Sequence, residues 1–388
     1  MKKDLHVHLY GCLTPEDLWS LGKDTYQDRK PFLDWYASEY HKAWGRKINP
    51  ESYWQREDGF ELLKQDYLFN KPAPFTCFQS NFNLIIALCP LLIDDFSVPR
   101  KIIEKTAQTG LEYFEARTLL PFRFSAVEAH AYLKGLCETV KDCNEKLALK
   151  TKLVFSLFRD NSLALIHYGW IREFIDSFPV LGEEISGVDF AFAEEGFPPA
   201  DKQKIFQIFH SDNKKNKKLD LLYHVGESFE DKTQVSAIRW IFEAWRLNPT
   251  RLGHATALGV DPENYRGKQV KESRDEFLQT QNWLLENYDV FKDFGLILSK
   301  QEIIERKNKY QSSSFVLSSY TDEVIAETKN IQAVVAKCLK EESLVIECCP
   351  SSNLYIGQLK KKEYHSLRLF DSLGLKYVYG TDDPGIFA

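Results

Sequence analysis

Long apolar runs, paired thiols and an excess of basic charge are all scarce in this 388-residue chain. The longest apolar stretch, Asn83–Ile93, is too short to span a bilayer and is broken by Pro90, so no membrane span is expected. Net charge is −6 with both signs well mixed, which argues against a nucleic-acid partner, since a phosphate backbone calls for a basic face. Eight cysteines are present (Cys12, Cys77, Cys89, Cys137, Cys143, Cys338 and the adjacent Cys348 and Cys349), but no Cys-x-x-Cys pair. Most lie among apolar neighbours, where cysteine packs as a small hydrophobe, so neither a disulfide framework nor a thiolate zinc site is expected. The first strand-like run begins within a few residues of Met1 and leaves no room for a signal peptide. These absences predict a cytoplasmic protein. No internal repeat or linker divides the chain, which predicts a single domain over 1–388.

What is present is material for a large core, with 44% hydrophobic and 14% aromatic residues. Eight strand-like runs stand out: Leu5–Leu9, Leu111–Arg117, Leu153–Phe158, Gly187–Phe192, Leu221–Val225, Arg251–His254, Leu344–Cys349 and Lys376–Gly380. They alternate little between apolar and polar, as strands buried on both faces of a parallel sheet do. Helical stretches separate them. Thr14-Pro15-Glu16-Asp17 opens one, with a threonine cap, proline at the first helical position and acid in the first turn. Leu163, Ile166, Trp170, Ile171 and Phe174 recur at helical spacing in another. Strand and helix alternating eight times predict an α/β fold, a (β/α)8 TIM-like barrel. An open doubly wound sheet is the competing architecture, but no Gly-x-Gly-x-x-Gly follows any of the runs. Two connections exceed a single crossover helix. Residues 18–109 follow the first strand and read as several helices. Residues 255–343 follow the sixth, with a charged helical part at Lys271–Tyr288 and a serine patch at Ser312–Ser314. Such long connections carry structure of their own or act as lids and interaction surfaces. The chain stops at Ala388, soon after its last strand, so the helix that would close a barrel is expected to be missing.

Chemistry collects at the carboxyl ends of these runs, where barrels keep it. His6 and His8 stand in LHVHL, and the period of two in a strand puts both imidazoles on one face. A lone strand histidine is more often a satisfied core residue; two on one face before the turn Tyr10-Gly11 favour a ligand pair. His224 stands in LLYHVGE, His254 ends RLGH, and Asp382 and Asp383 stand in YGTDD. His224 alone reads equally well as a strand-end histidine bonded to a carbonyl, and the second aspartate as the cap of a following helix. Taken together, three neutral imidazoles (His6, His8, His224) and the carboxylate of Asp382 suit one Zn²⁺ with a position left for water. No lysine occurs in Leu153–Phe158 or Gly187–Phe192, so a lysine bridging two metals is unsupported. Zinc lowers the pKa of its water to about 7. Attack by hydroxide on an unsaturated carbon needs a proton delivered to the neighbouring atom. Glu227, three residues beyond His224, can supply it, although Glu227-Ser228-Phe229-Glu230 also reads as the acidic start of a helix. His254 could steady the hydroxide or the developing negative charge.

The motifs LHVHLYG followed by TP, LEYFEAR, GVDFAFAEE, HVGE, RLGHA, IECCPSSN and GTDDP resemble those of the adenosine deaminase family of the amidohydrolase superfamily. They cover the chain apart from parts of the two long connections. The resemblance implies His6, His8, His224 and Asp382 as ligands of a single zinc ion, and Glu227 as the acid that protonates the purine ring nitrogen. It implies His254 as the residue orienting the hydroxide and Asp383 as a contact to the far side of the purine, with Tyr10, Phe192 and Gly226 at substrate-binding positions. The reaction implied is hydrolytic deamination of an aminopurine nucleoside (adenosine, deoxyadenosine) or nucleotide, with loss of ammonia. Two positions depart from the pattern. Tyr10 stands where adenosine-specific members carry an aspartate that grips the sugar hydroxyl, and Phe192 stands where they carry a glycine whose backbone approaches the base. No cluster of Lys or Arg announces a phosphate site. Arg117 and Arg159 lie near strand ends, but pairing with Glu115 and Asp160 accounts for them. The departures keep two alternatives open: an amidohydrolase acting on a non-purine substrate, and a deaminase-like scaffold protein that forms a homo-oligomer through the 255–343 insertion.

Overall fold

The computed structural model describes residues 2–89, 93–342 and 344–387; Pro90, Ser343 and Ala388, used as markers above, lie outside them. Its strands are β1 (Lys3–His8), β2 (Tyr113–Leu119), β3 (Lys150–Leu157), β4 (Ile185–Phe190), β5 (Asp220–Val225), β6 (Arg251–His254), β7 (Gln269–Ser273), β8 (Phe315–Ser319), β9 (Val345–Cys348) and β10 (Lys376–Tyr379). Eight of them form one sheet in the order β1-β2-β3-β4-β5-β6-β9-β10, with helices between successive members: the (β/α)8 barrel that the alternation predicts. No helix among the described residues is long and apolar enough to cross a membrane. By its contacts the chain divides into two compact units, Met1–Phe190 with Tyr379–Ala388, and Ala191–Val378.

In the first unit β1 to β4 pair in parallel, with His8 opposite Arg117, Ala116 opposite Leu153 and Ser156 opposite Asp189. Beyond β10, Asp382 continues the ladder on β1 through a parallel bridge to Val7. Phe114 to Thr118 and Leu153 to Leu157 are buried without interruption, which explains the missing alternation in their sequences. Phe155 has no exposed surface. Phe155→Ala is therefore expected to cost about 3–5 kcal/mol, read as a lower urea midpoint at unchanged slope; a cost under about 1 kcal/mol would show that β3 does not pack as described. Thr14 and Asp17 close a capping box on the helix Pro15–Thr25, and Asp160 caps Asn161–Ser177. On that second helix Ile171 and Phe174 face inward as expected, but Ile166 is exposed and His167 and Tyr168 are buried in its place. The long first connection is helical, with Lys30–Trp44, Gly59–Tyr67, Phe75–Leu88 and Ser97–Ala107 its main members. An aromatic cluster holds it together: Phe78 stacks on Phe387 at 5.3 Å, and Phe69 lies edge-on to both.

In the second unit β5 pairs with β6 and β6 with β9, all in parallel, with Val225 opposite His254 and Gly253 opposite Glu347. The connection after β6 is not purely helical. Lys271–Ser273, read above as the start of a charged helix, belongs to β7, which pairs antiparallel with β8. Ser273 caps the helix that follows, Arg274–Glu286. None of the eight cysteines is in a disulfide, and all but Cys12 are buried.

Candidate metal centre

In the first unit the period of two along β1 brings His6 and His8 to one side, their rings 5.8 Å apart at 71°. Both Nε2 atoms converge on one oxygen: His6 lies 3.5 Å and His8 3.4 Å from Oδ1 of Asp382. The backbone fixes this meeting. His8 N–H donates to the Asp382 carbonyl at 2.8 Å, and Asp382 N–H to the His6 carbonyl at 2.9 Å. Asp382 itself adopts φ +62°, a left-handed conformation that aspartate tolerates better than most residues. One residue before it, Thr381 donates its hydroxyl to Asp4 Oδ2 at 2.6 Å, while Asp4 Oδ1 accepts the His6 amide at 3.2 Å. Burial pushes the Asp4 carboxyl upward, and these donors oppose the shift. Asp4 thus staples β1 to the segment that carries both aspartates. Asp383 is buried against Gly11, where an added Cβ would fall 1.9 Å from its Oδ1; that position admits no side chain. His8, Asp382 and Asp383 each offer a ligand atom within 4.8 Å of the others, a group able to hold a metal ion. Burial works against a charged His8, but the carboxylates of Asp383 and Asp382 outweigh it and push the imidazole up to about 9.

Arg117 forms a fully buried ion pair with Asp189 of β4 at 2.8 Å. Inward-facing residues of alternate barrel strands share a layer, so β2 meets β4 across β3. Asp160 serves as a helix cap, accepting from the Leu163 amide at 2.9 Å. Tyr10 is turned toward Tyr132, with which its hydroxyl is hydrogen-bonded.

In the second unit His224 and His254 end neighbouring strands with ring centroids 5.1 Å apart. Glu227 Oε1 lies 3.6 Å from His254 Nε2, and all three side chains are buried. No helix begins at Glu227; the next one starts at Gln234 under a Thr233 cap. The turn that presents Glu227 needs glycine, because Gly226 has φ +67° and a Cβ there would meet Ile241 at 2.7 Å. Two residues that sequence reasoning missed hold this group. Glu194 takes the amides of Gly226 and Glu227 on its two oxygens, at 2.8 and 3.0 Å, and fixes the turn. Asn353 places Oδ1 2.9 Å from His254 Nδ1, while its own amide donates to Cys348 Sγ. That donation orients the amide so that its oxygen faces the ring, and an oxygen can only accept. Nδ1 therefore carries a proton, and Nε2 is left toward Glu227. Both residues stood in quoted motifs, GVDFAFAEE and IECCPSSN, but acid and amide side chains at loop positions give no signal of what they hold.

Six non-glycine residues with positive φ occur among the described residues, and four of them, Phe192, His254, Ala255 and Asp382, follow or end strands beside the groups just described. Such conformations cost of order 1–3 kcal/mol each and persist where the surroundings over-determine them. Phe192, at φ +73°, keeps the backbone path that a glycine would normally take.

Comparison with known proteins agrees with the motif resemblance. No family model matches the chain. Adenosine deaminase of Plasmodium falciparum is 35% identical over 49 residues, 13% of each chain. That of Plasmodium gallinaceum is 40% identical over 50 residues, 13% of this chain and 14% of that one. The match therefore spans about 13% of the length of these curated relatives. Solved structures similar over 100% of this chain include an adenine deaminase from Arthrobacter aurescens, with TM-score 0.56, 17% identity and 83% of that chain covered. The N6-methyl-AMP deaminase from Arabidopsis thaliana gives 0.56, 15% and 81%. An amidohydrolase from Burkholderia ambifaria solved with bound Zn gives 0.55, 14% and 76%. At these identities the shared property is the fold.

Proposed function

We propose that this chain, which shares its barrel with adenine and N6-methyl-AMP deaminases and its motifs with adenosine deaminases, is a zinc-dependent hydrolytic deaminase of an aminopurine nucleoside or nucleotide. The observation that carries this reading is the convergence of His6 and His8 on one carboxylate oxygen at 3.5 and 3.4 Å. Donor atoms around a four- or five-coordinate zinc with bonds of about 2.1 Å stand roughly 3–3.6 Å apart, so this donor set suits the ion. His6, His8 and Asp382 would hold one zinc, joined by His224 as motif order and the resemblance imply. When bound, zinc would lower the pKa of its water toward about 7.

The remaining chemistry falls to the chain's own groups. Glu227 would protonate the ring nitrogen beside the amine-bearing carbon, converting that carbon into a better electrophile. His254, with Nδ1 committed to Asn353, would accept from the attacking water through Nε2 and hold it on line. Asp383 would accept from the far side of the purine, and the backbone at Gly226 and Phe192 would border the base. Where an aspartate would grip the sugar, Tyr10 instead bonds Tyr132. This favours bases, nucleotides or modified purines as seriously as adenosine, and it keeps a non-purine amidohydrolase as the second reading. Ammonia release by zinc-loaded protein offered adenine, adenosine, deoxyadenosine, their phosphates, N6-methyl forms and guanine tests the proposal. Turnover of at least one aminopurine is expected; silence across the panel at one zinc per chain would overturn the purine reading.

A pH effect follows from His8. Zinc binds neutral imidazole, and an imidazole near pH 9 is almost fully protonated at neutrality. Zinc affinity should therefore rise about tenfold per pH unit between 6.5 and 9 and then level off, with about one proton from His8 released per zinc at pH 7.5. Calorimetry in two buffers of different ionisation enthalpy measures both, and pH-independent affinity over that range would remove His8 from the ligand set.

A further inference from the structure

Asp382 and Asp383 begin an arm of chain, residues 382–387, whose first residue is fixed to β1 by two backbone bonds. The left-handed φ of +62° at Asp382 costs free energy and persists only where the surroundings over-determine it. β1 holds one end of the arm, so the anchoring of the other end decides how firmly both carboxylates are placed. Three anchors lie beyond Asp383. Gly385 N–H donates to the Gly11 carbonyl at 2.8 Å, and it passes so close to Leu13 that a Cβ would fall 2.0 Å from the Leu13 carbonyl oxygen. Ile386, with no exposed surface, accepts the Phe69 amide at 2.9 Å. The Phe387 ring stacks on Phe78 of the helix Phe75–Leu88, with 5.3 Å between centroids and 10° between planes.

The anchored end reaches the acidic pair through a single turn. The amides of Ile386 and Phe387 both donate to the Asp383 carbonyl, at 2.9 and 3.1 Å. Two of the three anchors, Phe69 and Phe78, come from the long connection after β1. That connection also grips the opposite wall. Tyr67, the last residue of the helix Gly59–Tyr67, donates its hydroxyl to the Leu13 carbonyl at 2.6 Å. This steadies the turn whose Gly11 abuts the Asp383 carboxylate. The hydrogen bonds to the arm are made by main-chain atoms and survive substitution, whereas the Phe78–Phe387 stack depends on side chains alone.

We propose that Phe78 is a positioning residue for the metal centre, and that its stack on Phe387 clamps the arm that carries Asp382 and Asp383. The clamp rests on the reading of Asp382 as a zinc ligand. Zinc affinity of the full chain, measured by competition with a chromophoric chelator, tests it without any substrate. Phe78→Leu keeps an apolar side chain but removes the ring. It should weaken zinc about tenfold, the scale on which groups that orient metal ligands act. Phe387→Leu should match it, and the double variant should be no more than about twofold weaker than either, because both changes delete one contact. Amide hydrogen exchange at Ile386 and Phe387 should quicken in each variant. Phe174→Leu, the same change at a buried position of the helix Asn161–Ser177, should leave zinc affinity within about twofold of the parent, which separates positioning from a general loss of packing. Phe387→Leu carries the test if Phe78→Leu fails to fold. Additive losses in the double variant, an equal loss in Phe174→Leu, or parental affinity in both Phe78→Leu and Phe387→Leu would each overturn the proposal. Asp382→Asn, measured alongside, distinguishes the two readings. Zinc binding weakened there but intact in Phe78→Leu sinks the clamp alone, whereas zinc binding intact in both sinks the assignment of Asp382 on which the clamp rests.

Discussion

Glu227→Gln is expected to lower kcat on the best aminopurine by about 10²–10⁴ while zinc stays bound at wild-type stoichiometry. The substitution isolates the proton. Glutamine has the size of glutamate and keeps the same packing beside His254, whose Nε2 lies 3.6 Å from Glu227 Oε1. The backbone of the turn is unaffected, because Glu194 grips the amides of residues 226 and 227 and makes no demand on the side chain. What disappears is the ability to deliver a proton to the ring nitrogen and recover one later. A loss confined to kcat, with KM within a few-fold, is the signature of a group that acts in the transition state. Turnover at the wild-type rate would move the proton donor elsewhere, and loss of zinc along with activity would recast Glu227 as a residue that supports the metal.

The parts of this molecule that could be read from its sequence are those where burial dictates residue type. All eight sheet strands fall within a few residues of an apolar run, and Arg251–His254 coincides with β6, because a strand covered on both faces has no room for polar side chains. The pair β7–β8 escaped because Gln269–Ser273 places a charge on each face, Lys271 outward and Glu272 inward. Such a segment resembles a polar loop or a helix start until its partner strand is known. His6, His8 and the aspartate pair could be singled out because residues at the carboxyl ends of barrel strands follow the strand period; the role of His6, His8 and Asp382 as metal ligands is the proposal made above. Glu194, Asn353 and Asp4 could not be, since each works by holding another residue's backbone or ring, and their partners lie 32, 99 and 377 positions away. Arg117 shows the same limit in another form. Its charge pointed to an ion pair, and strand layering inside the barrel brings in Asp189, 72 positions away, which no sequence neighbour signals.

Asp382→Asn is expected to weaken zinc binding by at least about 100-fold and to reduce turnover at sub-saturating zinc by a similar factor. Asparagine is the informative replacement here. Asp382 sits at φ +62°, where alanine would add backbone strain of its own, while asparagine accepts the left-handed region readily. The two backbone bonds that lock this residue between His6 and His8 involve only main-chain atoms and survive the change. The loss therefore reports the carboxylate alone: the oxygen on which both imidazoles converge and the charge that helps raise His8 to about 9. With that charge gone, the His8 pKa should fall, while Asp383 still holds it up, so the pH dependence of residual zinc binding should level off at a lower pH than in the parent. Chelation of the wild-type protein, with turnover restored on adding zinc, supplies the matching control without any mutation. A variant that binds zinc as tightly as the parent, with the same pH slope, would show that Asp382 is not a ligand and that its strained conformation serves the chain's backbone instead of its chemistry.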